Sequence, residues 1–167
     1  AQPAFNAVYG QVPGELAPKY ALAVACERGG QASTAEQLYM VCASTDANYV
    51  TPAAFGLGRI RAGRGDLKGT LNALNLIPST SRGYPESRRL RAQHLMAHGS
   101  GLSDLGAALD AVAAAKLDPP TYARYSVEIL SRALATVKAS GDSAAVHIGG
   151  RPATDKALRP LLEQASR

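Results

Sequence analysis

Three glycines, Gly30, Gly65 and Gly101, are spaced 35 and 36 residues apart, and each lies between two segments with helical patterning. This spacing strongly constrains the fold. A unit of helix, tight turn and helix that recurs at a fixed period cannot bury its own apolar face, so neighbouring units must stack on one another. The spacing therefore predicts an all-α chain built from helical hairpins.

The second helices of the first two units share a pattern of buried positions. In each unit, three core candidates follow the glycine at the same three offsets, and a Leu-Ala or Leu-Gly pair precedes it on the first helix. The candidates are Ala35, Tyr39 and Cys42 in the first unit, and Thr70, Leu74 and Ile77 in the second. A period near 34 residues with such alternation of small and large residues is typical of tetratricopeptide repeats. Ala35 and Gly58 are expected to be buried where helices cross.

The third unit fits the pattern less well. Its second helix is predicted to start at Gly101-Leu102, to run through Ala107, Ala111 and Ala114, and to end at residues 116–119. An irregular helical bundle is the alternative to the repeat interpretation. The predicted fold is a right-handed superhelix of antiparallel hairpins, with additional flanking helices.

The chain is expected to form one domain, because 167 residues is an ordinary length for one. Its predicted segments are a lead-in helix and loop over 1–14, hairpins over 15–49, 50–81 and 82–119, a helix over 120–141, and a loop with a closing helix over 142–167. The predicted helices are 3–11, 15–29, 31–45, 51–64, 66–77, 82–98, 102–117 and 120–140. The first unit is expected to close at residues 46–48.

The C-terminal segment changes composition. Residues 140–154 are rich in Gly, Ser and Pro and are predicted to form a loop that packs back on the core, with no strand. Gly141 is a candidate helix stop, and Thr121 is a candidate N-cap, as are Thr80 and Ser81. The last helix is predicted to begin near Thr154, and Pro160 is expected to kink or restart it.

The two cysteines, Cys26 and Cys42, fall on facing helices of one hairpin. A small apolar core role is the favoured interpretation, and a disulfide or a metal pair is the alternative. There is no glycosylation sequon, no run long enough to span a membrane and no visible signal peptide. These features favour a cytoplasmic location.

Positive charge is concentrated in the middle of the chain. Residues 59–91 contain seven arginines and one lysine against two acids, a net charge of +6, whereas the whole chain carries +5. This cluster could be an electropositive face for an acidic partner, or a solvated helical surface. Nucleic acid is not expected, because only Tyr84 offers a stacking aromatic side chain within the cluster.

No catalytic motif, cofactor site or metal site is predicted. His94 and His98 are four residues apart on a predicted helix, but no third ligand accompanies them, so a surface or groove role is favoured. Residues 63–69 resemble a phosphate-binding loop only superficially, since the spacing and the preceding strand are missing. The chain itself is therefore not expected to be an enzyme.

A more specific resemblance rests on five segments. The strongest are Pro-Gly-Glu-Leu-Ala-Pro-Lys at 13–19 and Ala-Ala-Phe-Gly-Leu at 53–57. The segments are 5–8, 12–19, 53–59, 77–82 and 147–149. Together they resemble the C-terminal tetratricopeptide domain of actinobacterial protein kinase G. The resemblance covers nearly the whole chain, with departures in the third repeat and at Pro160.

The resemblance implies a regulatory scaffold within a cytosolic Ser/Thr kinase. In that family, a rubredoxin-like metal module and a kinase domain precede the repeat domain. The kinase phosphorylates a forkhead-associated-domain regulator of 2-oxoglutarate dehydrogenase in glutamate metabolism. The resemblance implies as partners the kinase domain of the same polypeptide, a second copy, and a membrane-anchored amino-acid sensor that could recruit the protein to the membrane. A free-standing adaptor without a kinase is the alternative.

The predicted binding groove lies on the first helix of each hairpin, which lines the concave face of tetratricopeptide stacks. It is aromatic and apolar at one end and basic at the other. An acidic peptide would fit it, with Tyr20 and Phe55 as anchors and the arginines as carboxylate partners. The groove residues are Tyr20, Val24, Glu27, Phe55, Arg59, Ala62, Arg88, Arg89, Ala92 and Met96.

Overall fold

The computed structural model describes residues 16–45 and 47–167, so the predicted lead-in helix at 3–11 and Asp46 lie outside the described residues. Helices dominate this part of the chain, which confirms the predicted fold class. The elements are α1 (Leu16–Arg28), α2 (Ala32–Thr45), α3 (Ala47–Gly63), α4 (Leu67–Leu74), α5 (Tyr84–His98), α6 (Gly101–Ala114), α7 (Pro119–Ser140), β1 (Ser143–Ile148), β2 (Arg151–Ala153) and α8 (Asp155–Ala165).

The chain divides into two compact units, with the boundary between Tyr84 and Pro85. Unit 1 contains α1 to α4, in which successive helices pack against one another and α1 also contacts α3. Unit 2 contains nearly all of α5 together with α6, α7, the two strands and α8. That the two units act as one domain stays a prediction.

The three repeat glycines occupy the turns that the spacing predicts. Gly30, Gly65 and Gly101 have φ angles of +80°, +73° and +76°, a left-handed conformation that L side chains rarely adopt. Gly30 and Gly65 each reverse the chain between two packed helices. Residues 63–69 are such a turn: they contain the end of α3, and Asp66 caps α4 by accepting a hydrogen bond from the Gly69 N–H at 2.9 Å.

The predicted core positions of the first two units are all buried. Each of the six side chains that follow Gly30 and Gly65 at the shared offsets is at most 2% exposed. Cys26 and Cys42 are free thiols within the same core, and burial raises the pKa of Cys42 above its ordinary value. The apolar core role predicted for the cysteines is thereby confirmed.

Of two glycines of α3, Gly56 lies at the tighter helix contact and Gly58 at the looser one. A Cβ built on Gly56 would lie 2.5–2.8 Å from three ring carbons of Tyr39, whereas one on Gly58 would meet Leu74 at an ordinary 3.6 Å. Gly58 and Ala35 are both buried, as predicted. The absence of a side chain is nevertheless required at Gly56, where the tyrosine ring lies directly against the α3 backbone.

Two helix boundaries in unit 1 differ from the prediction. Ala47 and Asn48, predicted to close the first unit, are the first residues of α3. Helix α4 ends at Leu74, three residues before the predicted end, so the buried Ile77 lies in the turn that follows. The repeat therefore places an apolar side chain in the core even after the helix has ended.

In the third repeat, the buried positions of the second helix differ from the predicted ones. On α6 the buried residues are Gly106, Ala108, Ala111 and Val112, while the predicted Ala107 and Ala114 are only partly buried.

Both ends of α7 are capped. At the start of α7, Asp118 is the N-cap and its side chain accepts a hydrogen bond from the Thr121 N–H, so the predicted cap at Thr121 is wrong. Gly141 ends α7 as predicted, with a φ of +89°.

The predicted loop at 140–154 contains a β-hairpin, and the expectation that no strand occurs is wrong. Strands β1 and β2 pair antiparallel, with Ile148 opposite Arg151 and an irregular register nearer Ser143. Gly149 and Gly150 form the turn with φ angles of +61° and +75°, as tight two-residue hairpin turns require. Gly106 of α6 makes room for this hairpin, because a Cβ there would lie 2.6 Å from the His147 carbonyl oxygen.

Helix α8 begins where predicted and buries Leu158 against α7 and the hairpin. Thr154 is its N-cap and accepts a hydrogen bond from the Ala157 N–H at 3.1 Å. The helix runs through Pro160 as one element, so the predicted restart is wrong. Pro160 is exposed, which keeps its ring away from the core.

The Gly56 contact generates a stability prediction. We expect Gly56→Ala to destabilise the protein by about 1–3 kcal/mol, because the new methyl group must displace the buried Tyr39 ring. Gly58→Ala is the matched control, two residues away on the same helix, and is expected to be neutral or stabilising by up to about 1 kcal/mol. Urea unfolding of both variants is the measurement. Equal stabilities would show that α2 and α3 do not cross at Gly56.

Candidate partner-binding face

The predicted groove residues lie on α1, α3 and α5, and they divide between the two units. Six of them belong to unit 1 and form what is called here the α1–α3 face; the other four, called the α5 set, belong to unit 2. The α1–α3 face consists of Tyr20, Val24, Glu27, Phe55, Arg59 and Ala62. The α5 set consists of Arg88, Arg89, Ala92 and Met96.

A hydrogen-bonded network crosses the α1–α3 face. The Arg59 guanidinium donates from Nε to Glu27 Oε2 at 2.9 Å and from Nη2 to Glu27 Oε1 at 3.0 Å. The buried Tyr39 hydroxyl also donates to Glu27 Oε1, at 2.6 Å. The Glu27 carboxylate of α1 thus holds a side chain of α2 and one of α3, with the fork geometry that makes Arg–carboxylate pairs specific.

The electrostatics of this network follow from its contacts. The Arg59 hydrogen bonds lower the pKa of Glu27 below its ordinary value, against the opposing effect of burial, and the Tyr39 hydroxyl adds to the lowering. Burial, and then the neighbouring carboxylate, raise the pKa of Tyr39. The Glu27 hydrogen bonds raise the pKa of Arg59. Glu27 is therefore ionised and Tyr39 is neutral at physiological pH.

The aromatic end of the face is partly covered by its own unit. Tyr20 packs against Tyr39 and Tyr49, with ring centroids 5.9 and 5.7 Å apart. Phe55 is half-buried, and a Cβ on Gly83 would approach its ring to 3.1 Å. Tyr20 and Phe55 thus each keep part of their surface exposed, while other residues of unit 1 pack against them.

A second carboxylate neutralises more of the basic cluster. Glu36 of α2 accepts from Arg61 Nε and from Arg64 Nη1, each at 2.9 Å. Arg61 also donates to the Gly69 carbonyl oxygen at 3.1 Å, so it joins α2, α3 and α4. Counting Glu27 and Glu36 with residues 59–91 lowers the net charge of the cluster from +6 to +4. Part of this charge therefore serves the fold of unit 1.

The α5 set is mixed in its accessibility. Arg89 pairs with Glu86 one turn before it, and this pairing raises the pKa of Arg89. Arg88 and Met96 are partly exposed, and Met96 lines a small cavity beside Arg132. Ala92 is only 1% exposed, which removes it from any surface that a partner could touch. The α5 set therefore contains three accessible residues and one core residue.

No group of three or more His, Cys, Asp or Glu residues is placed to hold a metal ion within residues 16–45 and 47–167. His94 and His98 do lie side by side on α5, with ring centroids 6.5 Å apart. Partial burial, together with the neighbouring His98, lowers the pKa of His94. No helix in the described part of the chain is long and apolar enough to cross a membrane.

Comparison with known proteins decides the family. The model of the protein kinase G tetratricopeptide repeat matches residues 1–167, the whole chain. The chain belongs to this family. Two relatives are the serine/threonine-protein kinase PknG of Mycobacterium leprae, 33% identical over 98% of the chain, and that of Mycolicibacterium smegmatis, 32% identical over 98%.

The match covers only part of those relatives. The chain spans 22% of each kinase, about a fifth of the length. It corresponds to the tetratricopeptide region of the family, and this correspondence confirms the resemblance on which the sequence interpretation rested.

The sequence interpretation missed three features of unit 1. Glu27 and Arg59 were both placed in the groove, but their pairing was not recognised, although they are opposite charges 32 residues apart, close to one repeat. The pairing of Glu36 with Arg61 and Arg64, which also joins separate helical segments, was not recognised either. Tyr49 was overlooked because it lies in the segment predicted to connect two helices, which the structure shows to be the first turn of α3.

The Glu27 network predicts a pH-dependent stability difference. Arg59→Gln is expected to cost about 1 kcal/mol at pH 7, a modest value because the Arg59 side chain is 56% exposed. The pKa of Glu27 is lower in the folded chain than its ordinary 4.5, so its stabilising effect is present above that value and is lost as the pH falls through the folded-state pKa.

Urea unfolding of wild type and Arg59→Gln at pH 7 and pH 3 measures this effect. The difference in stability between the two proteins should shrink as the pH falls. Lys68→Gln, which removes one exposed cation of the same unit, is the control and should leave stability nearly unchanged at both pH values. A difference for Arg59→Gln that is as large at pH 3 as at pH 7 would contradict the assigned pairing.

Proposed function

We propose that this chain is a non-catalytic protein–protein interaction scaffold that forms part of a serine/threonine kinase polypeptide. The observation that carries the proposal is the family match across residues 1–167, on a chain whose unit 1 has the helical hairpins that this family uses. Stacked hairpins of this kind present extended surfaces to partners rather than catalytic groups.

The more specific assignment of substrate and partners is the one that the resemblance to the protein kinase G family implies. The kinase would act in the cytoplasm on a forkhead-associated-domain regulator of 2-oxoglutarate dehydrogenase, and the scaffold would connect the kinase domain to a membrane-anchored amino-acid sensor or to a second copy. Both relatives are serine/threonine-protein kinases by name, which supports the kinase context. A free-standing adaptor is the second candidate, since the chain matches only about a fifth of each relative.

We place the partner site on the α1–α3 face, with Arg88 and Arg89 as further candidates. The network at Glu27 changes how an acidic segment would bind. Arg59 already engages one carboxylate, so an acidic side chain of the partner must either share the guanidinium or replace Glu27. Tyr20, Val24 and Ala62 supply partly exposed apolar surface around the charged pair. The proposed partner segment therefore carries an apolar residue beside its acids.

The reading frame distinguishes the two candidate functions. Sequencing the gene upstream of the codon for Ala1 should reveal a kinase domain preceded by two Cys-x-x-Cys motifs. A frame that encodes no kinase would favour the free-standing adaptor and leave the scaffold function itself in place.

Partner binding is tested at Ala62, which is partly exposed near the end of α3. Partners are captured from cytosol and membranes of an actinobacterium, identified, and titrated calorimetrically as purified proteins. We expect Ala62→Glu to weaken binding about tenfold, because it places a negative charge where an acidic segment approaches. Raised salt should weaken binding to the wild-type protein as well.

Two controls separate charge from size and from position. Ala62→Gln has the length of Ala62→Glu without its charge and should weaken binding much less. Gln37→Glu adds the same charge at an exposed position on α2 and should leave affinity unchanged. Equal affinities for wild type and Ala62→Glu would place the partner site away from the α1–α3 face.

A further inference from the structure

Arg59 has donor groups that its own network does not use. A guanidinium carries five N–H donors, of which Glu27 accepts one from Nε and one from Nη2. The Nη1 amino group makes no hydrogen bond to any residue that the structure describes. Because the Arg59 side chain is 56% exposed while its Nε–Nη2 edge faces Glu27, Nη1 is the nitrogen that an incoming group can reach. Arg59 can therefore donate to a second carboxylate while it keeps the first.

The Glu27 carboxylate, in contrast, is difficult to displace. Its two oxygens accept three hydrogen bonds, two from Arg59 and one from the Tyr39 hydroxyl. Tyr39 is 0% exposed, so a partner carboxylate reaches this hydroxyl only by entering the space that Glu27 fills. An acid that took Arg59 from Glu27 without doing so would disturb the acceptor of a buried hydroxyl, and an unmade buried hydrogen bond carries the full desolvation cost. A carboxylate that binds at Nη1 breaks none of the three bonds.

The local charge favours an approaching anion even with Glu27 in place. The Arg59 hydrogen bonds lower the pKa of Glu27 most strongly, and the positive charge of Arg28 lowers it further. Arg28 is exposed at the end of α1. Two cations thus act on one carboxylate, which leaves one positive charge in excess. The field at this end of the face therefore attracts a second carboxylate rather than repelling it.

Partly exposed apolar side chains lie along the same two helices. On α1, Val24 and Tyr20 lie about one and two turns before Glu27. On α3, Phe55 and Ala62 lie one turn to either side of Arg59. Residues three or four positions apart share a helix face, so these side chains border the charged pair. A carboxylate that follows a short hydrocarbon stem fits this border better than a bare inorganic anion.

We propose that Arg59 binds an aspartate or glutamate side chain of a partner protein through Nη1 while Glu27 stays bound to its other edge. The partner acid shares the guanidinium with Glu27 and does not replace it. Its hydrocarbon stem, and an apolar neighbour in the partner segment, pack on Tyr20 and Val24. This inference rests on the proposed function, since it specifies how the α1–α3 face recognises an acidic segment.

The test uses phenylacetate and its uncharged amide, phenylacetamide, as probes of nearly equal shape. Each is titrated into the intact chain at neutral pH to tens of millimolar, and binding is followed by the NMR shifts of the Val24 methyl groups and the Arg59 side chain. We expect phenylacetate to bind about threefold more tightly than phenylacetamide, since one exposed ion pair adds modest affinity. The preference measures the contribution of the carboxylate alone.

Two readouts at Glu27 separate sharing from replacement. The NMR signal of its carboxyl carbon should stay close to its starting position as phenylacetate saturates the site, because Glu27 remains paired with Arg59. In Glu27→Gln, the affinity for phenylacetate should stay within about threefold of the wild-type value, since Glu27 does not compete with the probe. Replacement predicts a larger rise, because the variant removes a competing carboxylate.

Two charge variants show whether Arg59 is responsible for the preference. Arg59→Gln removes the cation and should bind the two probes equally. Lys68→Gln removes an exposed cation of α4 and should keep the wild-type preference. Both changes remove one positive charge from unit 1, so only the position of the charge differs between them.

Three outcomes would overturn the proposal. The first is equal affinity of the two probes for the wild-type chain, or no shift with either. The second is a Glu27 carboxyl signal that moves to the position of a free carboxylate, and the third is an affinity that rises by more than about threefold in Glu27→Gln.

The Ala62→Glu measurement tests the proposed function separately, with a purified partner and no probe. Probe binding at Arg59 without an effect of Ala62→Glu would mean that the proposed partner site fails. An effect of Ala62→Glu without a probe preference would mean that the sharing of Arg59 fails while the partner site stands. Failure of this inference and failure of the proposed function are therefore distinguishable.

Discussion

Tyr39 is the side chain on which unit 1 most depends. Its ring lies against the α3 backbone at Gly56, where no Cβ can be accommodated, and its hydroxyl donates to Glu27 of α1. One residue of α2 therefore fixes the approach of α3 by shape and the position of α1 by hydrogen bonding. A buried tyrosine hydroxyl needs such a partner, and the Glu27–Arg59 pair supplies one that stays ionised.

Part of the basic cluster stabilises the fold of unit 1. Arg61, Arg64 and Arg59 bind Glu36 and Glu27, which lie outside the cluster in sequence but beside it in unit 1. These pairs connect α3 and the turn after it to α1 and α2, so each stabilises the packing of the second hairpin on the first. A partner that competes for the same guanidinium groups would weaken these pairs, and partner binding and unit 1 stability are then coupled.

Local patterns predicted most of unit 1. The glycine turns and the buried positions after Gly30 and Gly65 depend on neighbours within one repeat. They could therefore be predicted from the spacing of residues along the chain. The pairing of Glu27 with Arg59 depends on how two separate helices rotate about their axes, which no local pattern encodes. The hairpin at Gly149-Gly150 carried a turn signal, but its strands are short and bury only Ile148 and Ala153, so their alternation was too weak to recognise. That a partner binds to the α1–α3 face stays a prediction.

The hairpin and α8 also cover apolar surface of α7 within unit 2. Repeat proteins need a terminal element with a polar outer surface, because the last unit would otherwise present the apolar face on which a further unit stacks. Ile148 and Leu158 are fully buried against α7, while three of the six residues of β1 and five of the eleven residues of α8 are exposed. Gly106, by admitting the hairpin backbone, allows a β-element to cover apolar surface of α7 that a further helical pair covers in a regular repeat array. Unit 2 thus shields this surface with its own strands and last helix.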